Sequence, residues 1–530
     1  MEFGTHEQLV LLALLVALGA LLVVAPIVRI PYPIFLVLGG LALGFVPGIP
    51  ALELPPDVVL VAILPVLLYA AAFFTPLREL RANLEPISIL AIGLVLATMG
   101  AVAIVAHAAI DGLSWSAAFV LGAVVSPTDP IAATAIMRRF GVPRRVVSIV
   151  EGESLVNDGT ALVLYRVAVT AAVAGTFSLW DASWRFLWSV AGGIGVGLVV
   201  GYLIAAVRRR LDNPPVEITI ALMTGYLAFI PAAAVEASGV LAAVTGGIYM
   251  GWRTPELTSV QTRLQGAAVW EILVFVLNAL LFALVGLQLS RILDELTGVS
   301  AAELAWYAVL VTGTVVLVRL VWVPVFTHVP RRLSRRLRER DPAPPPSQLF
   351  LISWSGMRGA VSLAAALAIP LSTDAGTPLP HRDLIVFLTF CVLLGTLVVQ
   401  GLSLPLILRA LRLEPEDLDE MEDAKARIHA AEAALARLEE LLNEEWVRED
   451  TAGRLRGLYS FRRNRFASRF DANSDGAIEE QSRNYQRLRR ELLNAERAAI
   501  VDLRRSGVIN DDALRRLQRD LDLEDARLDV

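Results

Sequence analysis

The sequence predicts an all-α, polytopic membrane protein with a helical soluble tail, and three observations support this prediction. Hydrophobic residues make up 55% of the 530 residues and charged residues only 19%, with a mean hydropathy of +0.60. Apolar blocks of about 20 residues, long enough to cross a bilayer as helices, follow one another up to about residue 410. Beyond that point Glu, Asp and Arg become dense. We therefore expect a transmembrane domain over 1–410 and a cytoplasmic regulatory or assembly tail over 411–530.

The length rule for membrane helices predicts thirteen transmembrane helices. An odd number places the N-terminus and the tail on opposite sides of the membrane. The approximate bounds of the predicted spans are 9–28, 33–49, 58–75, 86–109, 116–137, 147–174, 184–207, 216–232, 239–252, 267–289, 303–328, 348–370 and 383–408.

Basic residues fall on one side of these spans. The loops on that side contain Arg78, Arg81, Arg138–Arg145, Arg208–Arg210, Arg253, Arg263 and Arg331–Arg340. The opposite loops carry acids: Glu53, Asp57, Asp111, Asp181, Glu236, Asp294 and Asp374. Because cytoplasmic loops are enriched in Lys and Arg, we expect an outside N-terminus and a cytoplasmic tail in a bacterial inner membrane.

The densest group of polar residues inside a span lies in the sixth, from Glu151 to Asp158. A charged side chain costs about 2.5–3.5 kcal/mol at the centre of a membrane helix, so such residues are usually functional. Residues four apart share a helix face, which places Ser154 beside Asp158 and Glu153 beside Asn157 on the adjoining stripe. The sixth span therefore presents a polar edge within the membrane.

Two spans carry helix-breaking residues near their centres. In the fifth span, Pro127 and Pro130 flank Thr128 and Asp129 and each removes a backbone donor. The twelfth span is interrupted by the two glycines of segment 355–359. Spans one to six and eight to thirteen then form two inverted six-helix repeats with broken fifth and twelfth helices, an arrangement typical of secondary transporters.

These polar residues suggest a site for a small monovalent cation. The Asp158 carboxylate, the Ser154 hydroxyl, Thr128 and waters would supply the oxygens that a hard cation prefers. A proton can occupy the same carboxylate, and competition between the two ions is sufficient for antiport. Asn157 is neutral where a second aspartate would carry another proton, which predicts one charge exchanged each way. Asp129 could be a further ligand or could neutralise an arginine or a half-helix end.

Other buried charges need partners. We expect Glu153 to pair with Arg358 in the twelfth span, because an unpaired arginine would be costly there. Arg319 in the eleventh span is a second buried cation whose partner the sequence does not assign. Glu151, near a span end, fits either a solvated funnel residue or a helix-terminal charge.

At these positions the sequence resembles the cation:proton antiporter-1 family, the bacterial and eukaryotic sodium/proton exchangers. The matching segments are SPTDPIA at 126–132, EGESLVNDGTALVL at 151–164 and GMRGAVS at 356–362. The resemblance implies a homodimer, crossed fifth and twelfth helices and an elevator-type cycle. It also implies that Asp158, Ser154 and Thr128 are cation ligands, that Glu153 and Arg358 form a structural ion pair, and that Asn157 marks electroneutral members.

We therefore expect exchange of Na⁺ or Li⁺ for H⁺, a role in sodium transport and pH homeostasis, and no cofactor. Some members of the family prefer K⁺, so a K⁺/H⁺ antiporter using the same site is the alternative. A cation channel would need a continuous polar pore, and an enzyme would need a nucleophile with a base or a metal cluster. The sequence shows neither pattern. The sequence also contains no basic aromatic surface for nucleic acid.

The tail has helical periodicity and two recognisable features. Ile428, Ala431, Leu435, Leu438 and Leu442 form a short heptad seam, which predicts packing on a partner or the dimer mate. Asp471, Asn473, Asp475 and Glu479 match the first nine positions of a calcium loop, but position twelve is Ser482. A polar loop between helices is the expected structure, with calcium or another ligand sensed by the tail as the alternative.

Overall fold

The computed structural model describes residues 5–28, 30–46, 55–175, 178–296, 298–334, 339, 343–374, 376–412, 418–470, 477–526 and 528. These residues are mostly helical and contain no strand, apart from one isolated antiparallel bridge between Ser372 and Pro378. They divide into two compact units, Met1–Pro415 and Glu416–Val530.

The helices of the first unit are α1 Thr5–Val28, α2 Tyr32–Gly44, α3 Val58–Phe74, α4 Leu77–Ala82, α5 Leu84–Ala109, α6 Trp115–Val125, α7 Ile131–Arg139, α8 Arg144–Ala174, α9 Leu179–Arg208, α10 Pro214–Ala234, α11 Gly239–Leu257, α12 Val260–Glu295, α13 Ala301–Leu333, α14 Pro346–Trp354, α15 Ala360–Leu367 and α16 Arg382–Leu411. Helices α3, α5 and α16 each include a π-helical stretch: Val58–Ile63, Ile89–Leu94 and Thr396–Gln400.

Helices occupy all thirteen predicted segments, most within a few residues of the expected bounds. Within the described residues, six helices are individually long and apolar enough to cross a membrane: α5, α9, α10, α12, α13 and α16. The count of thirteen membrane crossings stays a prediction, because several of the remaining segments are short or interrupted.

The fifth and twelfth segments are interrupted where their sequences predict. Helix α6 ends at Val125 and α7 starts at Ile131, with Pro127 and Pro130 between them. Helix α14 ends at Trp354 and α15 starts at Ala360. The two interruptions touch, since the Asp129 amide donates to the Met357 carbonyl over 2.8 Å.

Small residues allow close packing in the rest of this unit. Helices α2 and α12 cross where Gly40 and Gly286 face backbone of the other helix at distances that leave no room for a Cβ. Helix α11 packs between α3 and α9, and its Gly247 lies directly against the α3 backbone. In α9, Gly193 and Gly197 lie equally close to the α11 backbone. Tight backbone contacts of this kind stabilise helix pairs where lipid supplies no hydrophobic driving force.

The second unit contains two helical hairpins. Helix α17, Leu418–Leu441, packs on α18, Glu449–Ala467, with Ala424, Ala431, Ala452 and Phe466 buried. Of the predicted heptad seam, Ala431 is among these buried residues, and packing of the seam on a partner or the dimer mate stays a prediction. Helix α19, Ala477–Arg505, pairs with α20, Asp511–Ala526. Gly507 adopts a positive φ of 73° between them. The predicted calcium-loop residues Asp471, Asn473 and Asp475 lie outside the described residues, as does the Glu479 side chain.

Candidate functional site

A cavity of about 650 Å³ lies between two groups of helices. One wall is formed by α2, α3 and α12, and the other by α8 and the interrupted segments. Most of its lining is apolar. Its polar lining includes the predicted site residues Thr128, Asp129, Ser154 and Asp158.

Asp158 lies on α8, one helical turn beyond Ser154, and both side chains line the cavity. Both residues are buried, with exposed fractions of 7% and 6%. Within the described part of the chain, the Asp158 carboxylate has no hydrogen-bond or ion-pair partner. A buried carboxylate without a protein partner favours binding a proton or a cation that enters through the cavity.

Thr128 is held in place by a chain of hydrogen bonds from the other stripe of α8. Asn157 Nδ2 donates to Thr128 Oγ1 over 2.8 Å, and Thr128 Oγ1 donates to Glu153 Oε1 over 3.2 Å. All three side chains are buried. The hydroxyl oxygen is therefore fixed at the cavity wall, although the two prolines beside it prevent a regular helix.

Asp129 joins the starts of two half-helices. Its Oδ1 accepts from the Ile131 amide over 2.9 Å, at the first residue of α7. Its carboxylate also lies against Gly359, just before α15, so closely that no Cβ could be added at Gly359. Since helix N-termini carry partial positive charge, the Asp129 carboxylate neutralises these two half-helix starts. The geometry therefore favours neutralisation of half-helix ends by Asp129 over neutralisation of an arginine.

The expected pairing of Glu153 with Arg358 is wrong. Glu153 instead pairs with Arg319 of α13, which donates from Nη1 to Oε1 and from Nη2 to Oε2, the latter over 2.7 Å. Both side chains are 1% exposed. The sequence places all three charges at similar depth, but it does not specify which helix faces the Glu153 side of α8.

The guanidinium groups of Arg319 and Arg358 lie at the C-terminal ends of half-helices. Arg319 Nε and Nη2 donate to the Ile352 carbonyl of α14 over 3.1 and 2.9 Å. Arg358 Nε donates to the Val125 carbonyl at the end of α6 over 3.0 Å, and its Nη1 donates to the Gly356 carbonyl. The positive guanidinium groups thus donate to carbonyls that the breaks leave free at half-helix C-termini. The negative Asp129 carboxylate lies at the opposite ends, the half-helix starts.

The structure brings four of the predicted site residues to the cavity and places Asn157 and Glu153 one layer behind them. Asn157 Oδ1 is buried without a hydrogen-bond partner among the described residues. Sequence reasoning missed Tyr32, Asn278 and Ser362, which also line the cavity. Their segments carry no motif, although a lone Asn within an apolar helix is a usable signal. No group of three His, Cys, Asp or Glu side chains suited to a metal occurs among the described residues.

Broken helices in contact with each other, beside a buried carboxylate in a cavity, define a multi-pass membrane transporter rather than an enzyme. The family of transmembrane sodium/hydrogen exchangers matches residues 10–410. The chain belongs to this sodium/hydrogen exchanger family.

Individual relatives agree with this assignment. An uncharacterised Na⁺/H⁺ exchanger of Mycobacterium tuberculosis is 37% identical over 527 residues, which cover 98% of this chain and 96% of the relative. A sodium, potassium, lithium and rubidium/H⁺ antiporter of Bacillus pumilus is 32% identical, over 82% of this chain and 66% of the relative. The sodium proton antiporter MjNhaP1 of Methanocaldococcus jannaschii at pH 8 has the same fold, with a TM-score of 0.60, 18% identity, and coverage of 77% of this chain and 100% of that chain.

Proposed function

We propose that this chain is an electroneutral antiporter that exchanges one Na⁺ or Li⁺ for one H⁺, with both ions competing for Asp158. The observation that carries the proposal is the buried Asp158 carboxylate in the wall of the cavity. The exchange requires no cofactor, because the gradient of one ion drives the other.

Three oxygen-bearing side chains would bind the cation: Asp158, Ser154 and Thr128, with waters completing the shell. Asp129 contributes its negative charge nearby while its Oδ1 is occupied by the Ile131 amide. Asn157 positions the Thr128 hydroxyl and adds no charge of its own. A single titrating carboxylate that binds either ion supports a stoichiometry of 1:1.

An elevator-type cycle is supported by the position of the cavity. The wall that carries the polar residues belongs to α8 and the two interrupted segments, tied together by the Asp129–Met357 backbone bond and the buried ion pair. The opposite wall belongs to α3 and α12, which are packed tightly to α11 and α2. Movement of the first group against the second would carry the site across the membrane, in keeping with two inverted six-helix repeats.

The positive-inside rule supports a bacterial inner membrane location with the N-terminus outside and the tail in the cytoplasm. The cavity then opens toward the cytoplasm, because Arg138 at its rim lies in the last turn of α7, next to a basic loop. Helices α9 and α13 expose much apolar surface, with only 22% of their most apolar windows buried, as expected for contact with lipid or with a second copy in a homodimer. Ligand or calcium sensing by the tail stays a prediction.

Potassium is the alternative cargo, and one observation favours keeping it open. The Bacillus pumilus relative is named for exchange of sodium, potassium, lithium and rubidium, and it aligns with 82% of this chain. The same carboxylate and hydroxyl oxygens would bind K⁺ in a slightly larger shell. A cation channel is a further alternative, which would need a continuous polar pore.

Reconstituted protein tests these alternatives. Proteoliposomes with an imposed pH gradient receive Na⁺, Li⁺ or K⁺, and valinomycin clamps the voltage when K⁺ is not the test ion. Dissipation of the gradient by Na⁺ and Li⁺, without current, is the expected result. Dissipation by K⁺ alone would change the cargo, and current without proton movement would identify a channel.

A further inference from the structure

The cavity that is lined by Asp158 is also lined by an ion pair. Arg138, in the last turn of α7, donates from Nη2 to Glu151 Oε1 over 2.7 Å, and both residues line the cavity. Their side chains are 68% and 25% exposed, against 7% for Asp158. The pair therefore lies at the open end of the cavity, which we call the mouth.

Glu151 shares a helix face with the proposed cation site. Glu151, Ser154, Leu155 and Asp158 all line the cavity at helical spacing on α8. At a rise of about 1.5 Å per residue, Glu151 lies about 10 Å from Asp158 along the helix axis. A charge at this distance acts on a cation at Asp158 without being its ligand.

The charges of the other lining residues show how the Arg138–Glu151 pair could affect an entering cation. Among the described lining residues, Arg138 is the one positive charge. Glu271, on the opposite wall, is exposed and makes no hydrogen bond or ion pair within the described part of the chain. A cation that enters from this side therefore meets the Arg138 charge. Glu151 is the acid that contacts Arg138.

We propose that Glu151 sets the apparent cation affinity by neutralising Arg138 at the mouth. This proposal rests on the cation exchange proposed above and adds a regulating residue to it. Without Glu151, the Arg138 charge repels a cation at Asp158. If the separation is taken as about 10 Å, the axial distance of Glu151 from Asp158, binding weakens about 2- to 20-fold for an effective dielectric constant of about 20–80. A ligand or proton carrier at position 151 would act through its own carboxylate, whether or not Arg138 is present.

Three variants separate these roles: Glu151→Gln, the double variant Arg138→Gln/Glu151→Gln, and the control Arg139→Gln/Glu151→Gln. Arg139 is adjacent and exposed but does not line the cavity, so the control removes the same charge outside the mouth. Na⁺ binding is measured as Na⁺-dependent thermal stabilisation of the purified protein, with choline holding the ionic strength. The KM and maximal rate of exchange are measured in proteoliposomes.

Glu151→Gln is expected to raise the half-saturating Na⁺ concentration and the KM about 2- to 20-fold with little change in maximal rate. The Arg138 double variant should restore the wild-type value, the Arg139 control should not, and added choline chloride should reduce the defect by screening. An unrescued defect, or equal rescue by both double variants, would overturn the proposal. If the wild type binds Na⁺ but moves no protons, the proposed function fails while the binding series still decides the role of Glu151.

Discussion

The buried pair of Glu153 and Arg319 predicts a large and selective effect on stability. Glu153→Gln leaves the Arg319 guanidinium, 1% exposed, without its counter-charge. Breaking a buried pair by removing one partner costs about 3–5 kcal/mol. With an unfolding entropy of about 2.1 cal/mol/K per residue, a unit of 415 residues would lose roughly 3–6 °C in melting temperature.

A double-mutant cycle makes this prediction specific. The variants Glu153→Gln, Arg319→Gln and their combination are compared by differential scanning fluorimetry in detergent, beside a matched cycle with Arg358→Gln. The losses should be strongly non-additive for Glu153 with Arg319, because each single change leaves the partner's charge unpaired, whereas the double change removes both charges. They should be closer to additive for Glu153 with Arg358, whose guanidinium contacts carbonyls. Stronger coupling in the Arg358 cycle would refute the pairing described here.

Three further predictions concern separate parts of the chain. Thr128→Val should raise the KM for Na⁺ about 10-fold or more, because it removes a ligand oxygen and leaves the buried Asn157 amide unpaired. Thr128→Ser keeps the hydroxyl and should retain most activity, and transport assays check both variants. Gly359→Ala should lower thermal stability and exchange, because its Cβ would collide with the Asp129 carboxylate, and normal behaviour would show that the interruption can relax. In the tail, hydrogen bonds to Asp525 and Asp522 raise the pKa of Arg497. The contribution of these bonds to stability is therefore fully present below the usual arginine pKa and is lost only as the pH rises through the raised pKa. The hydrogen-exchange protection factors of α19 in the full chain, which correct for the intrinsic pH dependence of exchange, should therefore be unchanged between pH 6 and 9 but lower in high salt, which screens exposed pairs.

Helix interruptions were the most predictable part of the fold. Prolines at 127 and 130 remove backbone donors wherever the helix lies, so the break between α6 and α7 follows from local chemistry alone. The shared face of Ser154 and Asp158 follows equally from helical periodicity. These local rules were enough to locate the candidate site.

Partners across the bundle were less predictable. Glu153 meets Arg319 because α13 packs beside α14, the first half of the interrupted twelfth segment. This arrangement depends on tertiary packing that hydropathy does not encode. Tyr32 and Asn278 reach the cavity from α2 and α12, which cross at glycines far apart in the sequence. Sequence patterns specify depth along a membrane helix, whereas the facing neighbour is determined by the packed bundle.

The central claim is that Asp158 binds both the cation and the proton, and Asp158→Asn tests it most directly. The amide preserves size but can neither titrate nor supply a full negative charge. Na⁺-driven proton movement in proteoliposomes and Na⁺-dependent thermal stabilisation in detergent are measured for the wild type and the variant. The account predicts that the variant folds and loses both responses. Undiminished Na⁺-driven proton movement by Asp158→Asn would contradict it.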